Sequence, residues 1–399
     1  MNFRELGLRA EMADMCKRIG FAEPTPIQTK AIPVILQDGD VIGTAETGTG
    51  KTAAFLLPII QKICANYRPA TMTVLVLAPT RELATQIEAE CRKFSPKGVT
   101  CACLIGGTGY GKQTQALKRG VNILIATPGR LIDFMEQGMV NFKNLNTLVL
   151  DEADRMLDMG FLPAIKRIVK ACPEQRQTLF FSATMAGEIE HIARQIVKDP
   201  TYVEASKRGK AAVTIEQKAY PVAHQFKVPL LLDLLGKEDL ERVLIFTRTK
   251  RGADRIAHIL ERQEHKSNRI HGDRSQSQRE AALAGFKSGR TRILVATDVA
   301  ARGIDIDAVS HVINYDVPAA PEDYVHRIGR TGRAGNKGQA ITFFTLAEEH
   351  SLRAIEKLTG QQVERVFLPD FGGVQPVEAA AKSASSGRSF RSFGGRRRR

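Results

Sequence analysis

Eight residues, Ala45-Glu46-Thr47-Gly48-Thr49-Gly50-Lys51-Thr52, constrain this chain more than any others. They lie between a short apolar run, Asp40–Thr44, and a helix-capable run starting at Ala53. Glycines at such a turn let several backbone N–H groups converge on phosphate oxygens. The start of the following helix adds its partial positive charge. In that geometry Lys51 reaches the β- and γ-phosphates of ATP, and the Thr52 hydroxyl holds Mg²⁺. The general pattern opens with Gly where this chain has Ala45, but the loop glycines and the Lys-Thr pair are present. An ordinary glycine-rich turn would leave the flanking strand and helix signals without a reason.

That unit fixes a fold class when the same rhythm continues, and it does. Asp40–Thr44, Thr73–Ala78, Asn122–Ala126, Thr147–Leu150 and Thr178–Phe181 are short and apolar throughout, as strands buried on both faces are. Helix-capable stretches such as Glu82–Phe94 and Pro163–Ala171 separate them. The alternation predicts α/β architecture with parallel sheets flanked by helices. Val243–Phe246, Arg292–Ala296, His311–Asn314 and Gln339–Phe344 repeat the scheme. One echo, Ile-Leu-Ile-Ala-Thr at 123–127 against Ile-Leu-Val-Ala-Thr at 293–297, fits two copies of one unit. With 399 residues the chain is too long for one core and suits two domains. The predicted bounds are 1–205 and 218–370, with a small, basic connector at 206–217. From 371 onward Gly, Ser and Arg dominate, and that tail is expected to be disordered.

The remaining composition mostly excludes. No apolar run is long enough to span a bilayer, and the N-terminus lacks a signal-peptide pattern, so the cytoplasm is the expected compartment. Six cysteines form no CxxC pair or Cys/His cluster, which argues against zinc and against a disulfide framework. Net charge is +15, and no acid follows Glu378 while Lys382, Arg388, Arg391 and Arg396–Arg399 do. A polyanionic partner explains the excess; a solubility effect is the alternative. Phe390 and Phe393, interleaved with arginines, favour nucleic acid.

An ATPase loop needs a second acidic site on a neighbouring strand. The run Leu148-Val149-Leu150 leads directly into Asp151-Glu152-Ala153-Asp154. A strand delivers its last residues to the carboxyl edge of the sheet, beside the phosphate loop. Asp151 could hold Mg²⁺ through water, and Glu152 could orient or deprotonate the attacking water. Isolated, such a cluster would read as a charged helix start.

These residues resemble the DEAD-box family of RNA helicases, named for Asp-Glu-Ala-Asp, over roughly residues 3–370, and within it the bacterial RhlE type. The resemblance implies two tandem RecA-like domains that hydrolyse ATP and locally unwind or remodel RNA duplexes. It extends to Gly20–Gln28, which is similar to the family's Q motif, with Phe3 as the upstream aromatic. There it implies adenine recognition by Phe21, Thr25 and Gln28. Ser182-Ala183-Thr184 resembles the motif coupling hydrolysis to RNA. His326–Arg333 resembles motif VI, with His326 in the site and Arg330 and Arg333 as arginine fingers on the γ-phosphate. Gly329 and Gly332 are expected to interrupt any helix there. Asp305 falls where the family contacts ribose.

The implied RNA path comprises Pro79, Arg81, Gly107, Thr127, Arg130, Arg248, Thr249, Arg279 and Thr297. Arg, Thr and Gly in loops suit phosphate and 2′-hydroxyl contacts, so weak sequence preference is expected. Relatives imply ribosome assembly or RNA turnover as the setting. Three other readings stay open: an ATP-gated RNA clamp or scaffold without strand separation, a DNA helicase, and an ATPase acting on proteins.

Overall fold

A computed structural model describes residues 1–45, 48–185, 187–204, 215–237, 240–301, 309–332 and 338–371. Glu46, Thr47, Asp305, Arg333 and the tail, together with connector residues 206–214, lie outside the described residues.

Two seven-stranded sheets form the frame. The first contains β1 (Val41–Thr44), β2 (Val74–Leu77), β3 (Cys101–Leu104), β4 (Ile123–Ala126), β5 (Thr147–Leu150), β6 (Gln177–Ser182) and β7 (Thr201–Glu204). The second contains β8 (Ile215–Pro221), β9 (Val243–Phe246), β10 (Ser267–Ile270), β11 (Ile293–Ala296), β12 (His311–Asn314), β13 (Gly338–Phe344) and β14 (Glu364–Arg365). Every pairing is parallel. The spatial orders are β3-β4-β2-β5-β6-β1-β7 and β10-β11-β9-β12-β13-β8-β14. Adding seven to each strand number of the first order yields the second, so the lobes share one topology. The five-residue echo falls on β4 and β11, which occupy the same place in the two sheets.

Parallel strands need crossovers, and helices supply them on both faces. Successive residues of one strand therefore feed two different cores. In β2, Val74 and Val76 pack on one side and Leu75 and Leu77 on the other. In β9, Val243 and Ile245 part from Leu244 and Phe246 in the same way. Each such side chain, fully buried, contributes about 1.5–3 kcal/mol. Gly43 in β1 is needed because a Cβ there would come within 2.5 Å of the Phe181 ring, which packs on Phe55.

Three expectations shift. The connector assigned to 206–217 overlaps β8, whose first residues Ile215, Glu216 and Gln217 pair with β13. β3, β7, β10 and the short β14 had no apolar run to announce them. The helix Pro321–Ile328 carries His326 and Arg327 and ends only at Gly329, so that glycine caps a helix it was expected to forestall.

Candidate active site in the interlobe cleft

Functional side chains cluster at the carboxyl ends of the strands. From β1 the chain turns through Gly48 (φ 85°) and Gly50 (φ 91°) into the helix Lys51–Ala65. A side chain at Gly50 would collide with the Gln28 amide. Lys51 is buried, and its Nζ donates to the Ala45 carbonyl at 2.8 Å. Gln28 ties this loop to the helix Pro26–Leu36: its Oε1 accepts from the Thr25 N–H at 3.0 Å, and its Nε2 donates to the Gly50 carbonyl at 3.1 Å. One amide hydrogen and one lone pair remain, which is what an adenine edge requires. Phe21 is half-buried against Phe94, ring centres 5.9 Å apart.

β5 delivers Asp151 and Glu152 beside this loop. Burial pushes the Asp151 carboxyl up to about 6; Lys51 pulls it down and Glu152 pushes it up again. Its Oδ1 is buried and has no hydrogen-bond partner. Among the described residues no group of three or more His, Cys, Asp or Glu is arranged to hold a metal. One orphaned carboxylate oxygen within reach of the Lys51 charge, with the half-buried Thr52 next in the chain after Lys51, fits Mg²⁺, which binds through few carboxylates plus substrate phosphates. Glu152 pairs with Arg155 at 2.7 Å, both side chains 3% exposed.

Asp154 was not singled out in the sequence, yet it is the hub of this edge. Its Oδ2 accepts from the Ala183 and Thr184 N–H groups at 3.0 and 3.1 Å and from the Thr184 hydroxyl at 3.4 Å. Ser182 Oγ donates to the Thr184 carbonyl at 2.5 Å. The strand ends of β5 and β6 are thus locked together through the two motifs. The signal was available: a third acid two residues after Glu152 points from the helix that follows it.

Both lobes contribute to one crevice, lined by Arg155 from the first and by Asp298, His326, Arg327 and Arg330 from the second. Arg330 is 3% exposed. His326 is pushed down to about 3, chiefly by desolvation and then by the Arg155 guanidinium, so the imidazole is neutral at pH 7. Arg327 is a structural arginine. It grips Asp298 with two bonds, 2.6 and 2.7 Å, and reaches Asn314 Oδ1 and the Asp316 carbonyl at 3.1 and 2.7 Å.

The residues expected along RNA fall at the ends of three further strands in each sheet. Pro79 and Arg81 follow β2, Gly107 follows β3, and Thr127 and Arg130 follow β4. Arg248 and Thr249 follow β9, Arg279 lies beyond β10, and Thr297 follows β11. The Arg81 guanidinium lies on Gly106 and Gly107, where a Cβ at Gly107 would displace it. Buried Arg130 stacks 4.2 Å from the Tyr110 ring centre, and its Nη1 lacks a hydrogen-bond partner. Thr249 caps the helix Lys250–Arg262 by accepting from the Gly252 N–H at 3.0 Å. Arg248 is held by Glu348 at 2.7 Å. Arg279 departs from a simple phosphate contact: it crosses the cleft to Glu82 at 3.1 Å, with side chains 10% and 8% exposed. Gln276 donates to the same carboxylate at 3.2 Å. Glu82 and Arg155 therefore join the site as residues the sequence reading missed.

Residues 25–192 match a family described as DEAD/DEAH box helicase, and residues 226–335 one described as helicase conserved C-terminal domain. The DEAD-box ATP-dependent RNA helicase CshA of Geobacillus kaustophilus is 45% identical over 92% of this chain and 78% of that protein. This relative carries the CshA name, not the expected RhlE type. Saccharomyces cerevisiae Dbp5 bound to RNA and ADP BeF3 superposes with a TM-score of 0.82 at 32% identity, covering 93% of this chain and 97% of the other. A variant of the same yeast protein bound to Nup159, Gle1, IP6 and ADP superposes at 0.63, with 30% identity over 92% and 97%. The lobes described here are thus placed more as in the RNA complex.

Proposed function

Because this chain belongs to the DEAD-box family of ATP-dependent RNA helicases, we propose that it hydrolyses ATP in the cleft and uses cleft closure to separate RNA duplexes locally. It is a hydrolase whose nucleic-acid partner is RNA. The observation that carries the reading is the crevice where Arg155 of one lobe meets His326 and Arg330 of the other.

The division of labour we propose follows the sheet edges. Phe21, Thr25 and Gln28 receive adenine. Lys51 leaves the Ala45 carbonyl for the β- and γ-phosphates. Thr52 and, through water, Asp151 would hold Mg²⁺, which when bound neutralises phosphate oxygens. Glu152, oriented by Arg155, positions the attacking water and takes its proton. Arg330 neutralises charge developing on the γ-phosphate, the role also assigned to Arg333. Asp154 passes the state of this edge to Ser182 and Thr184. At the other edge, loops from both lobes hold RNA by phosphate and 2′-hydroxyl, so a strand bound across the closed cleft is bent and cannot stay in a continuous duplex. Loss of phosphate removes the charge that holds Arg330, and the cleft reopens.

No helix among the described residues is long and apolar enough to cross a membrane. We place the protein in the bacterial cytoplasm, in ribosome assembly or RNA turnover, and nearer the CshA-type helicases than the RhlE type.

Duplex separation and ATP turnover, measured with RNA and with DNA, test the reading. RNA strands should separate only with ATP, and Lys51→Ala should lower RNA-stimulated turnover at least ~100-fold by removing charge stabilisation of the phosphates. Turnover without strand separation would favour the clamp, and equal stimulation by DNA the DNA helicase.

A further inference from the structure

The helix Lys250–Arg262 begins where the RNA path assigned to Arg248 and Thr249 ends. Beside it lies a hollow of about 370 Å³ whose lining includes His224, Arg248, Arg251, Arg255, Tyr315 and Asp316. Its one carboxylate is already engaged: Asp316 accepts from Lys227 Nζ at 3.2 Å and from the Arg248 N–H at 2.9 Å. Other ions of this helix are paired away from the hollow, Lys250 with Asp273 at 2.6 Å and Asp254 with Arg269 at 2.7 Å. Arg251 and Arg255 are exposed, four residues apart on one helix face, and form no ion pair among the described residues. A concave surface with two uncompensated guanidiniums, continuous with loops that hold phosphates, suits more of the same polyanion.

We propose that the RNA strand continues past Thr249 into this hollow, where Arg251 and Arg255, with His224 beside them, hold two further backbone phosphates. This extension rests on the helicase reading. It makes the hollow a flanking subsite that long strands fill and short ones do not reach. Contacts there go to phosphate, so the subsite adds affinity without sequence preference.

The test uses the full chain and two polyuridine strands, one just long enough to stimulate ATP turnover fully and one extended at both ends. Half-saturating RNA is read across a range of salt. Arg251→Gln/Arg255→Gln should raise the long strand's value roughly tenfold near 0.1 M salt and flatten its log–log salt slope by about 1.4, two phosphates' worth for a single strand. The short strand's value should move much less, and Arg251→Lys/Arg255→Lys should restore most of the long-strand advantage. An unchanged long-strand slope overturns the proposal, as does an equal loss on both strands. Wild-type RNA affinity in the glutamine variant with loss of binding to a polyglutamate peptide would also overturn it and assign the hollow to an acidic protein. If wild type shows no RNA stimulation, the helicase reading itself fails before any variant is compared.

Discussion

Glu152 stands at φ 53° and ψ 51°, a left-handed conformation that costs a non-glycine residue about 1–2 kcal/mol. The strain aims its carboxylate into the cleft, where Arg155 holds it at 2.7 Å. Glu152→Gln keeps a hydrogen-bonding partner for Arg155 and removes only the basicity. Turnover measured with saturating RNA should fall about 10²–10⁴-fold while ATP and RNA still bind; near-normal turnover would remove Glu152 from the role of base. At this scale the sequence was legible where chemistry dictates residue type. Lys51, Asp151 and Glu152 were assigned because an ATP site needs a cation, a metal-facing acid and a base, and the structure brings the three close enough for Asp151 to feel both other charges. Asp154 and Arg155 were overlooked because their partners, two backbone N–H groups and one buried carboxylate, are visible only after the strands are paired.

Strands differ in how plainly they can be read. β2, β4, β5, β9 and β11 are buried at every position, and a continuous apolar run is the direct consequence. β3, β7 and β10 are edge strands with at most half of their residues buried, so Cys, Tyr, Asn and Arg dilute the pattern until it resembles a loop. Helix starts behave similarly: Arg81 opens the helix Arg81–Phe94, which carries Glu82 to the cleft, but only the second lobe shows what Glu82 meets. That pair joins the helices Arg81–Phe94 and Gln276–Lys287 across the cleft. A double-mutant cycle of Glu82→Gln and Arg279→Gln, read in RNA-stimulated kcat/KM, should give a coupling of about 1–3 kcal/mol, as expected of charges largely withdrawn from water. Additive effects would mean that the two residues act on RNA independently.

Across the whole molecule, one topology used twice gives each sheet the two groups of strand ends to which we assign ATP and RNA, and closure would bring both pairs together. His326 gives closure a pH dependence whose sign is fixed. Its pKa of about 3 in the closed cleft lies below the ordinary 6.5, so an open cleft with a more hydrated imidazole binds the proton more readily. Closure is therefore strongest above about 6.5 and is lost progressively as pH falls below it. Release of single-stranded RNA from the complex with a non-hydrolysable ATP analogue should accelerate between about pH 7 and 5. His326→Asn should remove that component; an identical pH profile in the variant would exclude His326 as its source.

A phosphate shared by two lobes is tested directly by Arg330→Gln when ATP binding and RNA-stimulated turnover are measured on the same protein. Binding, which the first lobe dominates, should change by no more than a few fold, while turnover should fall by about 10³-fold, the scale of a lost arginine finger. Turnover at the wild-type rate would contradict a site completed across the cleft.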